Sequence, residues 1–210
     1  IYTIAPYLLP SLVRVARESM PHAPLFLEEN FTVRLLEMLR QGSLDCAVLA
    51  DPFPTVGLDV IDLYDEPFLV AVPKGHPWEQ RHVIPHLELK EQNTLLLGAG
   101  HCFRDHVLGV CPELNRLGSG STIGEQHSFE GSSLETIRQM VAGGIGISVL
   151  PRTSVVDPNT EDGLIRYISL ENPVPTRRVC LVWRKSYPRA AAMQALAKVI
   201  RQCELPGVTL

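Results

Sequence analysis

Twice along this chain, apolar runs of strand length alternate with stretches whose apolar residues recur every three or four positions. In the first set, residues 6–19 place Leu8, Leu9, Leu12, Val13 and Ala16 near one helical face. Pro10 is expected within the first turn of that helix, where a missing N–H costs least. Residues 25–29 read as a short strand. A helix capped by Thr32 follows and stops at Gly42, and residues 45–50 read as the next strand. If Tyr2-Thr3-Ile4 closes a strand, the order is strand, helix, strand, helix, strand. That order predicts an α/β fold with a mostly parallel sheet.

The second set begins after the apolar run 67–73, which is a central strand or a crossover between lobes, and the turn Lys74-Gly75-His76-Pro77-Trp78. Leu95-Leu96-Leu97-Gly98 reads as its first strand, and residues 112–131 as a Gly- and Ser-rich loop. Ser132 or Ser133 opens the next helix, with Ser132 and Glu135 at capping-box spacing. That helix runs through Ile137, Met140 and Val141 to Gly143-Gly144, and residues 147–151 form the strand that follows. A late strand at 179–183 and a helix at 189–202 complete the chain. The return strand implies two α/β lobes joined by crossover strands, with the last helix packed on the first lobe. The expected division is 1–71 with 180–210 for lobe I, and 72–179 for lobe II.

A chain of 210 residues with 45% hydrophobic content can bury a sizeable core. The net charge of −4 gives no support to a nucleic-acid surface on this chain. Ile1 begins directly in an apolar stretch without an initiator Met, as expected of a piece of a longer protein. No signal peptide or membrane-spanning run is visible. Five scattered cysteines do not make a disulfide framework and fit a reducing, cytoplasmic setting. Cys46 and Cys180 lie in strand-like runs and Cys203 at the end of the last helix. All three read as small buried hydrophobes.

Gly100-His101-Cys102-Phe103-Arg104-Asp105 carries the most specific chemistry. It follows an apolar strand and opens a segment that can begin a helix. A cysteine there is close to free backbone N–H groups that favour the thiolate, and His101 or an arginine can add donors. Cys111 follows nine residues later. Peroxide attack on Cys102 gives a sulfenic acid, which a second thiol can convert to a disulfide. If one helix spans residues 103–111, its rise is roughly 13.5 Å. A disulfide needs Cα atoms within about 7 Å, so this segment has to rearrange. Phe103 and Val110 read as the apolar anchors of the reduced segment. The plain alternative is a surface thiol and a core thiol. His101, Cys102, His106 and Cys111 are also zinc donors, although their spacing matches no common closed site. His22, His82, His86 and His127 sit in polar, loop-like contexts and suggest no role in the chemistry.

Tyr2-Thr3-Ile4-Ala5-Pro6-Tyr7-Leu8-Leu9-Pro10, the Cys102 segment with Cys111, and Ser133-Leu134-Glu135-Thr136-Ile137-Arg138 together resemble the regulatory domains of LysR-type transcriptional regulators. The resemblance is to the peroxide-responsive branch and runs from Ile1 to about Arg201. It implies a periplasmic-binding-protein-like (type 2) effector fold, with Cys102 as the peroxide-reacting residue and Cys111 as its resolving partner. It also implies peroxide contacts from Thr3, Thr32, His101, Cys102, Arg104, Asp105 and Arg177. From the residues alone, Thr32 reads as an N-cap, Arg177 as a solvated charge, and Arg104 with Asp105 as a local salt bridge. The resemblance further implies no enzyme activity, cofactor or metal. It implies a homodimer, a homotetramer at full length, and reduction by a cellular thiol system. An N-terminal winged helix-turn-helix domain, absent from this chain, would contact promoter DNA and RNA polymerase.

Two other readings fit the same α/β order. One is a metabolite-binding effector or solute-binding domain with an inter-lobe ligand near Thr3, Thr32, Ser132 and Ser133. The other is a peroxidase, which shares the first chemical step.

Overall fold

In the computed structural model, which describes residues 1–117, 130–155 and 163–209, the first helical stripe becomes α1, Ala5–Ser19. Leu8, Leu12, Val15 and Ala16 are its buried face. Tyr2 and Thr3 form the turn that leads into it rather than a strand. Pro10 lies inside the helix, beyond its first turn, because Pro6 already occupies the opening positions. Its ring forfeits one ladder hydrogen bond, a loss that the packing of the apolar face offsets. Residues 25–29 make no strand. Phe26 and Leu27 of the apolar run there are both exposed, Phe26 at 93%, so the run does not point into a core.

The second helix, α2, is Thr32–Gln41, and Gly42 ends it with φ +84°, a left-handed conformation that glycine adopts without a Cβ penalty. Its N-cap is Phe31, not Thr32, since Phe31 holds the extended backbone and Thr32 is already helical. β1, Cys46–Ala50, follows, and then β2, Leu58–Pro73, a strand of 16 residues. Only the apolar second half of β2 was visible in the sequence pattern. The first half, with Asp59, Asp62 and Asp65, is half-buried and lacks an unbroken apolar run.

The remaining elements are β3 (Val83–Ile84), β4 (Thr94–Leu97), α3 (Cys102–Val110), α4 (Leu114–Leu117), β5 (Glu130–Gly131), α5 (Leu134–Ala142), β6 (Ile147–Pro151), β7 (Ile165–Leu170), β8 (Thr176–Arg184) and α6 (Ala190–Arg201). Most of the expected 112–131 loop, including Gly118 to Ser121 and His127, lies outside the described residues. The cap of α5 is Ser133, whose hydroxyl accepts from the Thr136 amide at 3.1 Å. Ser132 and Glu135 do not form a capping box, because Glu135 pairs forward with Arg138 and Gln139.

The chain divides into two units, Ile1–Glu66 with Arg177–Leu210, and Pro67–Thr176. The divisions fall after Glu66 and Thr176, earlier than the expected 71 and 179. The cause is pairing: Phe68 to Ala71 pair with β6, which assigns them to the second unit. Val179 pairs with Ala50 of β1, and Arg177 bonds within the first unit.

In the first unit β1 pairs antiparallel with β8, from Cys46 opposite Trp183 to Ala50 opposite Val179, and β8 lies between β1 and β2. The expected mostly parallel arrangement is corrected here, since the returning strand runs opposite to β1. α6 packs on α1, so the last helix does complete this unit, and α2 packs on β1. Leu8, Leu39, Leu49, Leu181 and Ile200 are in its core.

In the second unit β2 pairs antiparallel with both β6 and β7, which places Val70 opposite Val149 and Ile168. β4 runs parallel to β6 and to β5, and β3 runs parallel to β7. α3 and α5 pack against β4. The parallel β6–β4–β5 block is what brings the C-terminal end of β4 to the start of α3.

Candidate redox site

β4 ends at Leu97, and the chain turns through Gly98 to reach α3. The Gly98 amide donates to the Gly131 carbonyl at 3.0 Å, which extends the β4–β5 pairing to the last residue before the turn. Gly100 takes φ +96°, a conformation that a side chain there would strain. The His101 amide donates back to the Gly98 carbonyl at 3.4 Å, and the Arg104 amide to the His101 carbonyl at 3.0 Å. Arg104 then reaches under the turn, where Nη1 donates to the Leu97 carbonyl at 2.9 Å. These bonds fix where α3 begins.

Cys102 is the first residue of α3 and is half-buried. The opening amides of a helix have no intrahelical acceptors, and Cys102 lies beside them. His101 precedes it as the N-cap, with no side-chain cap bond. The His101 ring is buried, and burial holds its pKa below 6.5, with a hydrogen bond to the Ser132 backbone opposing the shift. His101 is therefore biased toward the neutral imidazole, able to donate or accept a proton. Asp105 is exposed on the first turn.

The far end of α3 is different. Cys111 is its C-cap and is fully buried, with its amide bonded to the Val107 carbonyl at 3.1 Å. Burial pushes the Cys111 thiol up, and so does Glu113, whose carboxylate accepts the Sγ–H at 3.5 Å. Phe103 is the anchor of this helix. It is buried and meets Phe68 edge-on, with ring centroids 5.1 Å apart at 80°. Val110 is only half-buried, so it is the weaker of the two expected anchors.

The other cysteines are held as thiols. Burial and Asp45 raise Cys46 to about 11, and burial with Asp62 raises Cys180 to about 12. Cys203 is also raised by burial. All five cysteines are free. Among the described residues, no group of three or more His, Cys, Asp or Glu is placed to hold a metal ion.

Thr3, Thr32 and Arg177 belong to the first unit. Arg177 is buried there and is not the solvated charge its sequence context suggested. Its Nε donates to Glu66 Oε2 at 2.7 Å, its Nη1 to Thr3 Oγ1 at 2.8 Å, and its Nη2 to the Thr3 carbonyl at 2.9 Å. The guanidinium fork thus holds Thr3 through two oxygens. Glu66 supplies the counter-charge, a role its sequence context did not single out. Its only signal was a carboxylate directly before an apolar strand. Thr32 Oγ1 is buried without a hydrogen-bond partner, which leaves the hydroxyl free to bond a small polar ligand or a water.

Residues 1–203 match the model of the LysR substrate binding domain. The chain belongs to that family. Within it, the domain is of the OxyR type. It is 36% identical over 199 residues to the DNA-binding transcriptional dual regulator OxyR of Escherichia coli K12, a match covering 95% of this chain and 63% of that protein. The chain thus spans less than two thirds of the length of that relative. The reduced form of OxyR from N. meningitidis is similar at 42% identity and a TM-score of 0.90, covering 99% of this chain and 94% of that one. A cysteine variant of Corynebacterium glutamicum OxyR with hydrogen peroxide bound is similar at 29% identity and a TM-score of 0.85, covering 96% and 62%. Among the described residues, no helix is long and apolar enough to cross a membrane.

Proposed function

We propose that this domain senses hydrogen peroxide through Cys102 and transmits the signal through a Cys102–Cys111 disulfide. The carrying observation is the contrast along α3, with a half-buried cysteine at the amide end and a fully buried one at the other. The Cys102 thiolate attacks one peroxide oxygen, giving Cys102–SOH and releasing the other oxygen as hydroxide, which takes up a proton to leave as water. The Cys111 thiol then displaces that hydroxyl as a second water and closes the disulfide. The product is stoichiometric and is reset by a thiol reductant, as a sensor requires and an enzyme does not.

His101 and Arg104 are the proposed neighbours of peroxide on the α3 side. Thr3, Thr32, Asp105 and Arg177 are part of the same proposal, which for them rests on the resemblance. The orphan Thr32 hydroxyl and the clamped Thr3 hydroxyl supply suitable polar groups. The full-length protein is proposed to work in the cytoplasm as a homodimer or homotetramer. Its DNA-binding domain would act on promoter DNA and RNA polymerase, with the disulfide altering protomer contacts.

Thiol mass spectrometry under a few equivalents of peroxide tests this reading. Wild type should lose two hydrogens with Cys102 linked to Cys111. Cys102→Ser should show neither disulfide nor sulfenic acid, and Cys111→Ser should gain one oxygen that persists or over-oxidises. A ligand-dependent transition without thiol change would instead identify a metabolite-binding effector. Turnover of many equivalents with a reductant would identify a peroxidase.

A further inference from the structure

The buried thiol of Cys111 poses a chemical problem that the opening end of α3 does not. A thiol in an apolar setting is a weak nucleophile, because the thiolate is the attacking species. Burial, the Glu113 carboxylate and the nearby amides of Glu113 and Leu114 act on this sulfur, and their net effect keeps the proton on it. Resolution of a sulfenic acid by Cys111 therefore needs a base.

Glu113 Oε2 accepts the Cys111 Sγ–H at 3.5 Å, across the intervening Pro112. The Leu114 amide donates to the Cys111 carbonyl at 3.1 Å, closing the segment from 111 to 114 into a tight turn. Pro112 fixes its own φ and stiffens that turn. α3 rises about 1.5 Å per residue, so Cys111 cannot reach Cys102 while the helix stands. When the helix gives way, partners from the sheet and from Phe68 stay behind. A carboxylate two residues away, in the same turn as the sulfur, moves with it.

We propose that Glu113 is the general base of the resolving step, carried with Cys111 through the rearrangement of α3. The role rests on the peroxide-sensing reading. In the step, Glu113 takes the Sγ proton as the Cys111 sulfur attacks the Cys102 sulfur. The Cys102 S–O bond breaks, the S–S bond forms, and the leaving hydroxide receives the proton to depart as water. Hydrogen peroxide, consumed in forming the sulfenic acid, is the oxidant. No further electrons are needed.

The test separates formation of the sulfenic acid from its resolution. Sulfenic acid at Cys102 is trapped with a dimedone reagent and counted by mass, and disulfide formation is followed in the same samples for wild type, Glu113→Gln and Glu113→Asp. Gln keeps the hydrogen-bond acceptor and removes the base. Sulfenic acid should form at the wild-type rate in all three. Disulfide formation in Glu113→Gln should slow by roughly 10²-fold near neutral pH, the usual scale of general-base catalysis. Its rate should then climb with hydroxide concentration, whereas Glu113→Asp should restore much of the rate and the flatter wild-type profile. Unchanged or faster resolution in Glu113→Gln overturns the role of Glu113 and leaves peroxide sensing intact. Absence of sulfenic acid at Cys102 in the wild type overturns the sensing reading, and this role with it.

Discussion

Cys102 and Cys111 occupy the two ends of one helix, the first as its opening residue and the second as its C-terminal cap. Nine residues of α-helix put their side chains on opposite faces and their Cα atoms about 13.5 Å apart. A disulfide between them is therefore incompatible with an intact α3. Hydrogen exchange on the reduced and oxidised chain should show protection lost across residues 102–111, while β6 and the second half of β2 keep theirs. Unchanged protection in α3 after verified disulfide formation would exclude the switch. Phe103 and Val107 are the buried residues of α3 that oppose it, and Phe103→Ala should destabilise the reduced state by about 3–5 kcal/mol.

Arg177 and Glu66 form a fully buried ion pair. Removing one partner leaves an uncompensated charge in the core, at a cost of about 3–5 kcal/mol. Glu66→Gln and Arg177→Met should each lower the denaturant midpoint strongly. The double variant should recover part of that loss, because neither charge is left alone. An additive double variant would mean that the two side chains act independently.

Gly146 has no room for a side chain. A Cβ there would lie 2.3 Å from the Asn93 carbonyl oxygen, which also accepts the Ile147 amide at 2.9 Å. Gly146→Ala has to push β6 away from residue 93, and overpacking of this kind costs about 1–3 kcal/mol. Thermal unfolding measures it. Gly109→Ala, with nothing within 4 Å of its Cβ, is the control and should hold or raise stability.

His101 makes stability depend on pH in a definite direction. Its folded pKa is held below 6.5 by burial, so the unfolded chain binds the proton more readily. The stability it contributes is present above about 6.5 and is lost as pH falls toward and through the folded value. Denaturant midpoints between about pH 8 and 5 should therefore decline less steeply in His101→Gln than in wild type. Equal slopes would mean that the ring is freely solvated.

Much of this fold was legible in the sequence because its signals are local. The stripe of Leu8, Leu12 and Ala16, the glycine stops at Gly42 and Gly143, and the apolar run 147–151 each encode their element through side-chain period and backbone freedom. The redox segment was legible for the same reason, since a strand, a glycine turn and a helix start surround Cys102. The sequence could not decide what depends on distant partners. Residues 25–29 open on a short apolar run like a strand's, yet found no ladder to join, and the first half of β2 became a strand through pairing despite its acidic residues. The direction of β8 follows from its neighbours, and so does the antiparallel sheet of the first unit. Arg177 looked like a solvated charge until the fold placed Glu66 and Thr3 against it, 111 and 174 residues away along the chain. Burial of a charge is set by what surrounds it in space, and only the tertiary structure supplies that.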